Sequence, residues 1–180
     1  SGANLQIITA LDDLAWTFNL RGSDVERNPV FMAYASVSAE ETILFIDGKK
    51  LSPELKNKLE SEGIQIREYT GLIEYLQQIP NTAKVMVDAD RTNQAIRKNI
   101  SGLCQIVEGL SIPCQLKSIK SEGEINHIRQ AMRKDGVALV EFLHWIENNL
   151  GKIPVTEYTV AEKLTEFRTK QPGFKGISFF

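Results

Sequence analysis

The sequence lacks the long apolar run that a membrane span requires. None of its apolar stretches approaches the ~20 residues that cross a bilayer, and no secretory signal pattern opens the chain. Lys and Arg number 21 against 23 Asp and Glu, so the net charge is −2, with the two signs interspersed. That balance gives no electrostatic footprint for nucleic acid. We therefore expect a cytoplasmic protein that contacts neither a membrane nor nucleic acid.

Cysteine, histidine and clustered glycine are also scarce. The two cysteines, Cys104 and Cys114, are too few for a disulfide framework and lack metal-ligand spacing, so we expect reduced, partly buried thiols. His127 and His144 lie nearly five turns apart on one predicted helix, so they cannot share a metal ion from it. No serine has a nucleophile-elbow context, and no glycine cluster forms a phosphate-binding loop. The sequence thus carries no signature of nucleotide binding or of nucleophilic catalysis.

Strand and helix patterns alternate over the first two thirds of the chain. A short polar link, "SAEE", joins two runs that are rich in aromatic and β-branched residues, which predicts an antiparallel hairpin. Helical patterns separate the remaining apolar runs, and Ser52-Pro53 has the form of a helix start. The alternation predicts an α/β domain with at least one antiparallel pair. The predicted strands are 5–8, 31–37, 42–46, 64–69, 84–87 and 105–107.

The pattern becomes helical after about residue 113. Ser121 and Glu124 have the spacing of a capping box, and the apolar residues that follow recur with a period close to 3.6, which predicts one long helix. Thr159 and Glu162 have the same spacing and predict the start of a second helix. Two helices with apolar faces and little sheet to cover are typical of the opening of another domain. We therefore divide the chain into residues 1–115 and 116–180, and its apolar ends lead us to expect a fragment of a longer protein.

Six aspartates are candidates for a metal site. Asp47 and Asp88 each follow a predicted strand, where the carboxylates of α/β folds can converge on a metal ion, as in a ribonuclease H-like nuclease. The side chain of Asp also binds nearby backbone in turns, and at a helix start it stabilises the dipole by ~0.3–1 kcal/mol. We favour these structural roles over metal binding. The four further candidates are Asp12, Asp13, Asp24 and Asp90.

The segment "RGSD", Arg21 to Asp24, has two interpretations. Arg21 could pair with Asp24 and brace a loop, or its guanidinium could recognise a carboxylate or carbonyl group of a ligand. The spacing alone does not separate the two.

The stretch around this segment resembles a known family. Residues 8–31, "ITALDDLAWTFNLRGSDVERNPVF", resemble part of the middle domain of three-domain aminopeptidase P enzymes, the Xaa-Pro aminopeptidases. The family pattern A-L-D-[DE]-[IL]-A-W-x-x-N-L-R-G-S-D-x-x-x-N-P-V-F is matched from Ala10 to Phe31. Later segments resemble the family's next strand and its entry into the catalytic domain, so the resemblance covers nearly the whole chain. These segments are "ETILFIDGKKL", "LKSIKSEGEINHIRQAMRKDGVALVEFLHWIE", "TEYTVAEKLTEFR" and "GFKGISFF".

The resemblance implies a fold and a parent activity. Residues 1–115 would form a creatinase/prolidase N-terminal-type α/β domain, similar to ribonuclease H, and residues 116–180 the first two helices of a truncated pita-bread domain. The parent enzyme would release the N-terminal residue from peptides with proline in second position. It would use two divalent metal ions, commonly manganese, held by two Asp, one His and two Glu.

In the family those metal ligands follow the segment that ends here at Phe180. We therefore assign no catalytic residue and no metal ligand in this chain, and we expect it to be inactive by itself and to bind no cofactor. Arg21 is the one candidate for substrate binding. The expected partners are a peptide with penultimate proline, for the parent only, and a second copy in a homodimer. The alternative is a non-catalytic α/β interaction module or a pseudoenzyme.

Overall fold

The computed structural model describes residues 2–100 and 102–177. It contains two compact units, of which the first ends at Ser118 and the second begins at Ile119. The apolar C-terminal end noted in the sequence lies partly outside the described residues, because they stop at residue 177. Within the described ranges, no helix combines the length and the apolar character that crossing a membrane requires.

The first unit is built on a six-stranded sheet with the order β4-β3-β2-β1-β5-β6. β2 is antiparallel to both of its neighbours, β1 and β3, and the other adjacent strands are parallel. Because β2 alone runs the other way, the carboxyl ends of the five other strands meet at one edge, which we call the carboxyl edge. The predicted hairpin is confirmed. The strands are β1 (Leu5–Ile8), β2 (Ala33–Ser38), β3 (Thr42–Ile46), β4 (Ile64–Arg67), β5 (Lys84–Val87) and β6 (Gln105–Glu108).

Helices cover both faces of this sheet. Successive strand residues point to opposite faces, so Ile7 packs in a core cluster with α3 and α4, and Ile8 in a second cluster with α1 and α2. The predicted α/β fold is therefore confirmed. Two short 3₁₀ turns, Gly48–Lys50 and Tyr69–Gly71, follow β3 and β4. The helices are α1 (Leu11–Thr17), α2 (Pro53–Ser61), α3 (Leu72–Gln78), α4 (Gln94–Asn99) and α5 (Ile112–Ser118).

Helix α5 is absent from the elements that we predicted. Its sequence after Pro113 is mostly polar, and seven residues are too few for a clear apolar period. Pro113 lies in the first turn, where its missing N–H removes no intrahelical bond. The boundary expected between residues 115 and 116 falls within this helix, whereas the structural division follows its last residue.

The second unit consists mainly of α6 (Glu122–Asn149) and α7 (Glu157–Thr169). The capping box of α6 is confirmed: Ser121 Oγ accepts a bond from the Glu124 N–H at 3.3 Å, and Glu124 Oε2 accepts one from the Ser121 N–H at 2.8 Å. The cap predicted for α7 was wrong. Thr156 caps this helix, and Thr159 is its third residue, not its cap. The Thr159 hydroxyl accepts the Thr156 N–H at 2.9 Å, so a second threonine replaces the usual Glu of the box.

Candidate functional site

The carboxyl edge of the sheet in the first unit is the candidate site. Open α/β sheets bind ligands outside the carboxyl ends of their strands. β1 and β5 are adjacent and parallel there, and each leads into a segment that carries carboxylates. The structure thereby brings Asp12 and Asp13, after β1, close to Asp88, after β5. Two cations, Arg91 and Lys117, lie among these three carboxylates, and we call the five residues the Asp13 cluster.

Asp13 lies at the centre of this cluster. Its side chain is 0% exposed, and its Oδ1 accepts a bond from Lys117 Nζ at 2.6 Å. Lys117 also donates to Asp12 Oδ2 at 2.5 Å. Arg91 Nη1 lies 3.4 Å from Asp12 Oδ1 and 3.6 Å from Asp13 Oδ1. Lys117 therefore bridges two adjacent carboxylates, and Arg91 approaches both.

Asp88 has the turn role that we predicted for it and a long-range contact as well. Its Oδ1 accepts the Asp90 N–H at 3.2 Å, which closes the turn after β5. Its Oδ2 accepts the N–H of Ser111, the residue before α5, at 3.1 Å. The Ser111 hydroxyl accepts a bond from Gln6 Nε2 at 3.2 Å. Asp88 thus connects the end of β5 to the start of α5.

The charges of the cluster stabilise one another. Burial opposes the charge of Asp12, but the hydrogen bond and charge of Lys117, together with Arg91, outweigh it and hold the pKa of Asp12 below its ordinary value. Burial opposes the charge of Lys117 too, and its bonds to Asp12 and Asp13 nevertheless raise its pKa. Within the described part of the chain, Asp13 Oδ2 is buried without a hydrogen-bond partner. Asp13 therefore depends on Lys117 and Arg91 for compensation of its charge.

The cluster does not suit a metal ion. Among residues 2–100 and 102–177, no group of three or more His, Cys, Asp or Glu side chains is arranged to hold one. The physical reason is that the two cations already occupy the positions beside the carboxylates. The sequence predicted the carboxylates but missed Arg91 and Lys117. These bind Asp12 and Asp13 across separations of 79 and 104 residues, so no local pattern connects them.

A second group at the same edge is the Arg21 cleft, with a volume of about 250 Å³. Arg21 Nη1 donates to the carbonyls of Ala15 at 2.7 Å and Leu20 at 2.8 Å. Asp24 Oδ2 accepts bonds from Lys50 Nζ and from the Met32 N–H, both at 2.6 Å. Of the two interpretations of this segment, the Arg21–Asp24 pair does not form, because each side chain has other partners. The cleft is lined by Leu20, Arg21, Gly22, Ser23, Asp24, Phe31, Ile46, Lys50, Leu51 and Leu55.

In this cleft, Arg21 carries a positive charge that no carboxylate of the described residues neutralises. The hydrogen bond from Lys50, and after it that from the Met32 N–H, hold the pKa of Asp24 below its ordinary value. Lys50 and Asp24 thus neutralise each other. No carboxylate in the described ranges forms an ion pair with the exposed Arg21.

The remaining candidate residues have local roles. Asp47 Oδ1 accepts the Lys49 N–H at 3.0 Å and caps the 3₁₀ turn after β3, as its turn prediction required. His127 and His144 are exposed on α6 in the second unit. Cys104 and Cys114 are free and partly buried, which confirms their prediction.

Comparison with known proteins assigns the fold to a family. The family description "Creatinase/Prolidase N-terminal domain" matches residues 1–124. The α/β fold of the first unit, built on a six-stranded sheet, agrees with that match. The chain belongs to the creatinase/prolidase N-terminal domain family.

Individual relatives narrow the similarity to Xaa-Pro aminopeptidases. A probable Xaa-Pro aminopeptidase P of Sclerotinia sclerotiorum is 37% identical over 182 residues, which are 96% of this chain and 30% of the relative. Xaa-Pro aminopeptidase 1 of Dictyostelium discoideum is 38% identical over 181 residues, 98% of this chain and 28% of the relative. The crystal structure of the Caenorhabditis elegans X-prolyl aminopeptidase, described as a cytosolic enzyme with a di-nuclear active site, has a TM-score of 0.90 at 28% identity. It is matched over 98% of this chain and 30% of its own. The chain thus spans about 30% of the length of these relatives.

Proposed function

We propose that the chain is part of a Xaa-Pro aminopeptidase and comprises its middle domain and the first two helices of its pita-bread catalytic domain. The complete enzyme releases the N-terminal residue from peptides with proline in second position. The observation that carries this proposal is the similarity along nearly the whole chain, with 38% identity to the Dictyostelium enzyme and a TM-score of 0.90 with the nematode one.

The proposed enzyme uses two divalent metal ions, commonly manganese in the family that the sequence resembles. The di-nuclear active site of the nematode enzyme supports the number of ions. The described residues do not fit such a pair, since the carboxylates that gather after β1 and β5 are already bonded to Lys117 and approached by Arg91. In the proposal the metal ligands therefore lie outside these 180 residues, and this chain acts as a scaffold.

A peptidase assay tests whether activity requires metal ligands from outside these 180 residues. With manganese, the 180-residue chain alone should release no arginine from Arg-Pro-Pro, whereas a complete protein that contains it should. The complete protein should lose that activity on chelation, recover it with manganese, and leave Arg-Ala-Pro uncleaved. Activity of the 180-residue chain, or activity of the complete protein that survives chelation, would contradict the proposal. A complete protein inactive with every divalent metal would favour the alternative of an interaction module.

Arg21 belongs to this proposal as a substrate contact. It is exposed beside apolar side chains in a cleft of about 250 Å³, and a guanidinium binds a carboxylate or carbonyl group through paired N–H donors. In the complete enzyme, Arg21→Gln should raise KM for Arg-Pro-Pro about tenfold with little change in kcat, as loss of one charged hydrogen bond predicts. Lys49→Gln, which removes an exposed cation that does not line the cleft, is the control. An unchanged KM in Arg21→Gln would exclude the contact.

Assembly and location are the last parts of the proposal. A homodimer stays a prediction, which sedimentation velocity of the complete protein tests. The description of the nematode relative as cytosolic supports a cytoplasmic location, which fractionation of cells tests.

A further inference from the structure

Helix α5 has little apolar packing to hold it in place. Of its seven residues only Pro113 is buried, while Ile112 is 42% and Leu116 55% exposed. A helix of this length is not stable in isolation, because the entropic cost of nucleating a helix exceeds the free energy gained from a few backbone hydrogen bonds. Its position against α1 therefore depends on specific polar contacts.

Those contacts lie at both ends of the helix. At the start, Ser111 bonds through its N–H to Asp88 and through its hydroxyl to Gln6, and all three side chains are buried. At the end, Lys117 bonds to Asp13 at 2.6 Å and to Asp12 at 2.5 Å. Without Lys117, the one cation of the described residues near the fully buried Asp13 would be the Arg91 guanidinium, 3.6 Å away.

The position of α5 has a consequence for the chain beyond it. α5 is the last element of the first unit, and only residues 119–121 lie between it and the start of α6. We propose that Lys117 is a positioning residue whose ion pairs with Asp12 and Asp13, here called the α5 latch, hold α5 in place and so fix the point at which the chain leaves the first unit. The consequence for catalysis rests on the proposed function, because it requires that the following segment belong to a catalytic domain.

Hydrogen exchange of the 180-residue chain tests the latch by itself. Lys117→Met should speed exchange of the amides in residues 115–118 roughly tenfold or more, because it leaves a buried carboxylate without its nearest cation. The amides of β1 and β5 should exchange at unchanged rates. Lys117→Arg, which keeps a cation within reach of both carboxylates, should show a smaller effect.

Lys50→Met is the matched control, since it removes the other short lysine–aspartate pair of the carboxyl edge. Unchanged exchange of α5 in Lys117→Met, or equal loosening of α5 in Lys50→Met, would overturn the latch. If Lys117→Met does not fold, Asp12→Asn removes the more exposed half of the latch, and its effect should again be confined to α5.

Kinetics of the complete enzyme test the positioning role. Lys117→Met should lower kcat for Arg-Pro-Pro about tenfold with KM little changed, since small misplacements of reacting groups cost factors of this size and more. Lys117→Arg should restore much of the loss. Loosened α5 with unchanged kcat would overturn the role in catalysis. A wild-type protein that cleaves no such peptide would refute the proposed function, and the exchange measurement would still decide the latch.

Discussion

Gly22→Ala should destabilise the first unit more than one added methyl group usually does. A Cβ at position 22 would lie 2.8 Å from Phe31 Cβ and 3.0 Å from the Val30 carbonyl oxygen. Neither atom lies at the flexible end of a side chain, and Phe31 and Val30 are 5% and 4% exposed. The backbone must therefore shift. Overpacking of this kind costs about 1–3 kcal/mol, and the rigidity of both neighbours places our expectation at about 2–3 kcal/mol.

Gly71→Ala is the matched control for this substitution. A Cβ there would meet no atom within 4 Å, and the backbone at φ −74° and ψ −8° accepts alanine without strain. Replacing such a glycine stabilises a protein by about 0.4–1 kcal/mol, because it restricts the unfolded chain. The difference between the two variants thus isolates the steric clash at Gly22.

Urea unfolding monitored by tryptophan fluorescence measures both variants. The sequence has two tryptophans, and in a Trp145→Phe background Trp16 on α1 reports on the first unit alone. A free energy of unfolding for Gly22→Ala within about 0.5 kcal/mol of that for Gly71→Ala would refute the reasoning, since this is the range of surface substitutions. The clash should also loosen the bond between Asp24 and the Met32 N–H and raise the pKa of Asp24 toward 3.8.

Three further predictions concern ionisable side chains. Asp13→Asn should lower the free energy of unfolding at pH 7 by about 1.5–3 kcal/mol, because it removes the charge-assisted hydrogen bond that this buried carboxylate accepts from Lys117; a loss below about 0.5 kcal/mol in urea would contradict this. Asp24 should titrate by NMR below its ordinary pKa of 3.8, and Lys50→Met should raise that midpoint. Since folding lowers this pKa, the stability from Asp24 is present above pH 3.8 and is lost as the pH falls through the folded value; an unshifted midpoint in Lys50→Met would exclude the pair. The side chain of Tyr34, whose ring stacks on that of Tyr69 with centroids 5.1 Å apart, and then burial raise the pKa of Tyr69 to about 12. Burial also raises the pKa of Tyr75, so absorbance at alkaline pH should show late titration from both tyrosines. The part that comes from Tyr69 should move earlier in Tyr34→Phe, and no change there would refute the coupling.

Strands and helix caps could be predicted because their causes are local. β1 is buried at all four positions, so it appears in the sequence as a short continuous apolar run. Ser52 with Pro53 and Ser121 with Glu124 carry their capping chemistry within four residues. In each cap, the side chain and the backbone N–H group to which it bonds are neighbours along the chain, so the interaction can be predicted from the sequence alone.

Helix α5 and the cations of the Asp13 cluster could not be predicted, because their causes are distant. α5 is held by bonds that reach from Ser111 to Gln6 and from Lys117 to Asp13, across 105 and 104 residues. Its two exposed apolar residues, Ile112 and Leu116, are too few to establish a helical period. The cap of α7 was misplaced for a different reason, since Thr156 and Thr159 both fit the first position of a box, and the choice depends on where the preceding chain ends.

The same long-range ion pairs explain why the carboxyl edge of the sheet does not suit a metal ion. Spacing indicates that Asp12, Asp13 and Asp88 follow strands, a pattern that allows a metal site, although turn and helix-start roles are the favoured interpretation. A divalent cation binds where carboxylate oxygens converge with no cation of the protein among them. Here Lys117 lies within 2.6 Å of two of these carboxylates and Arg91 within 4.0 Å of all three. The cluster therefore fastens α5, and the chemistry proposed for the complete enzyme requires ligands from elsewhere.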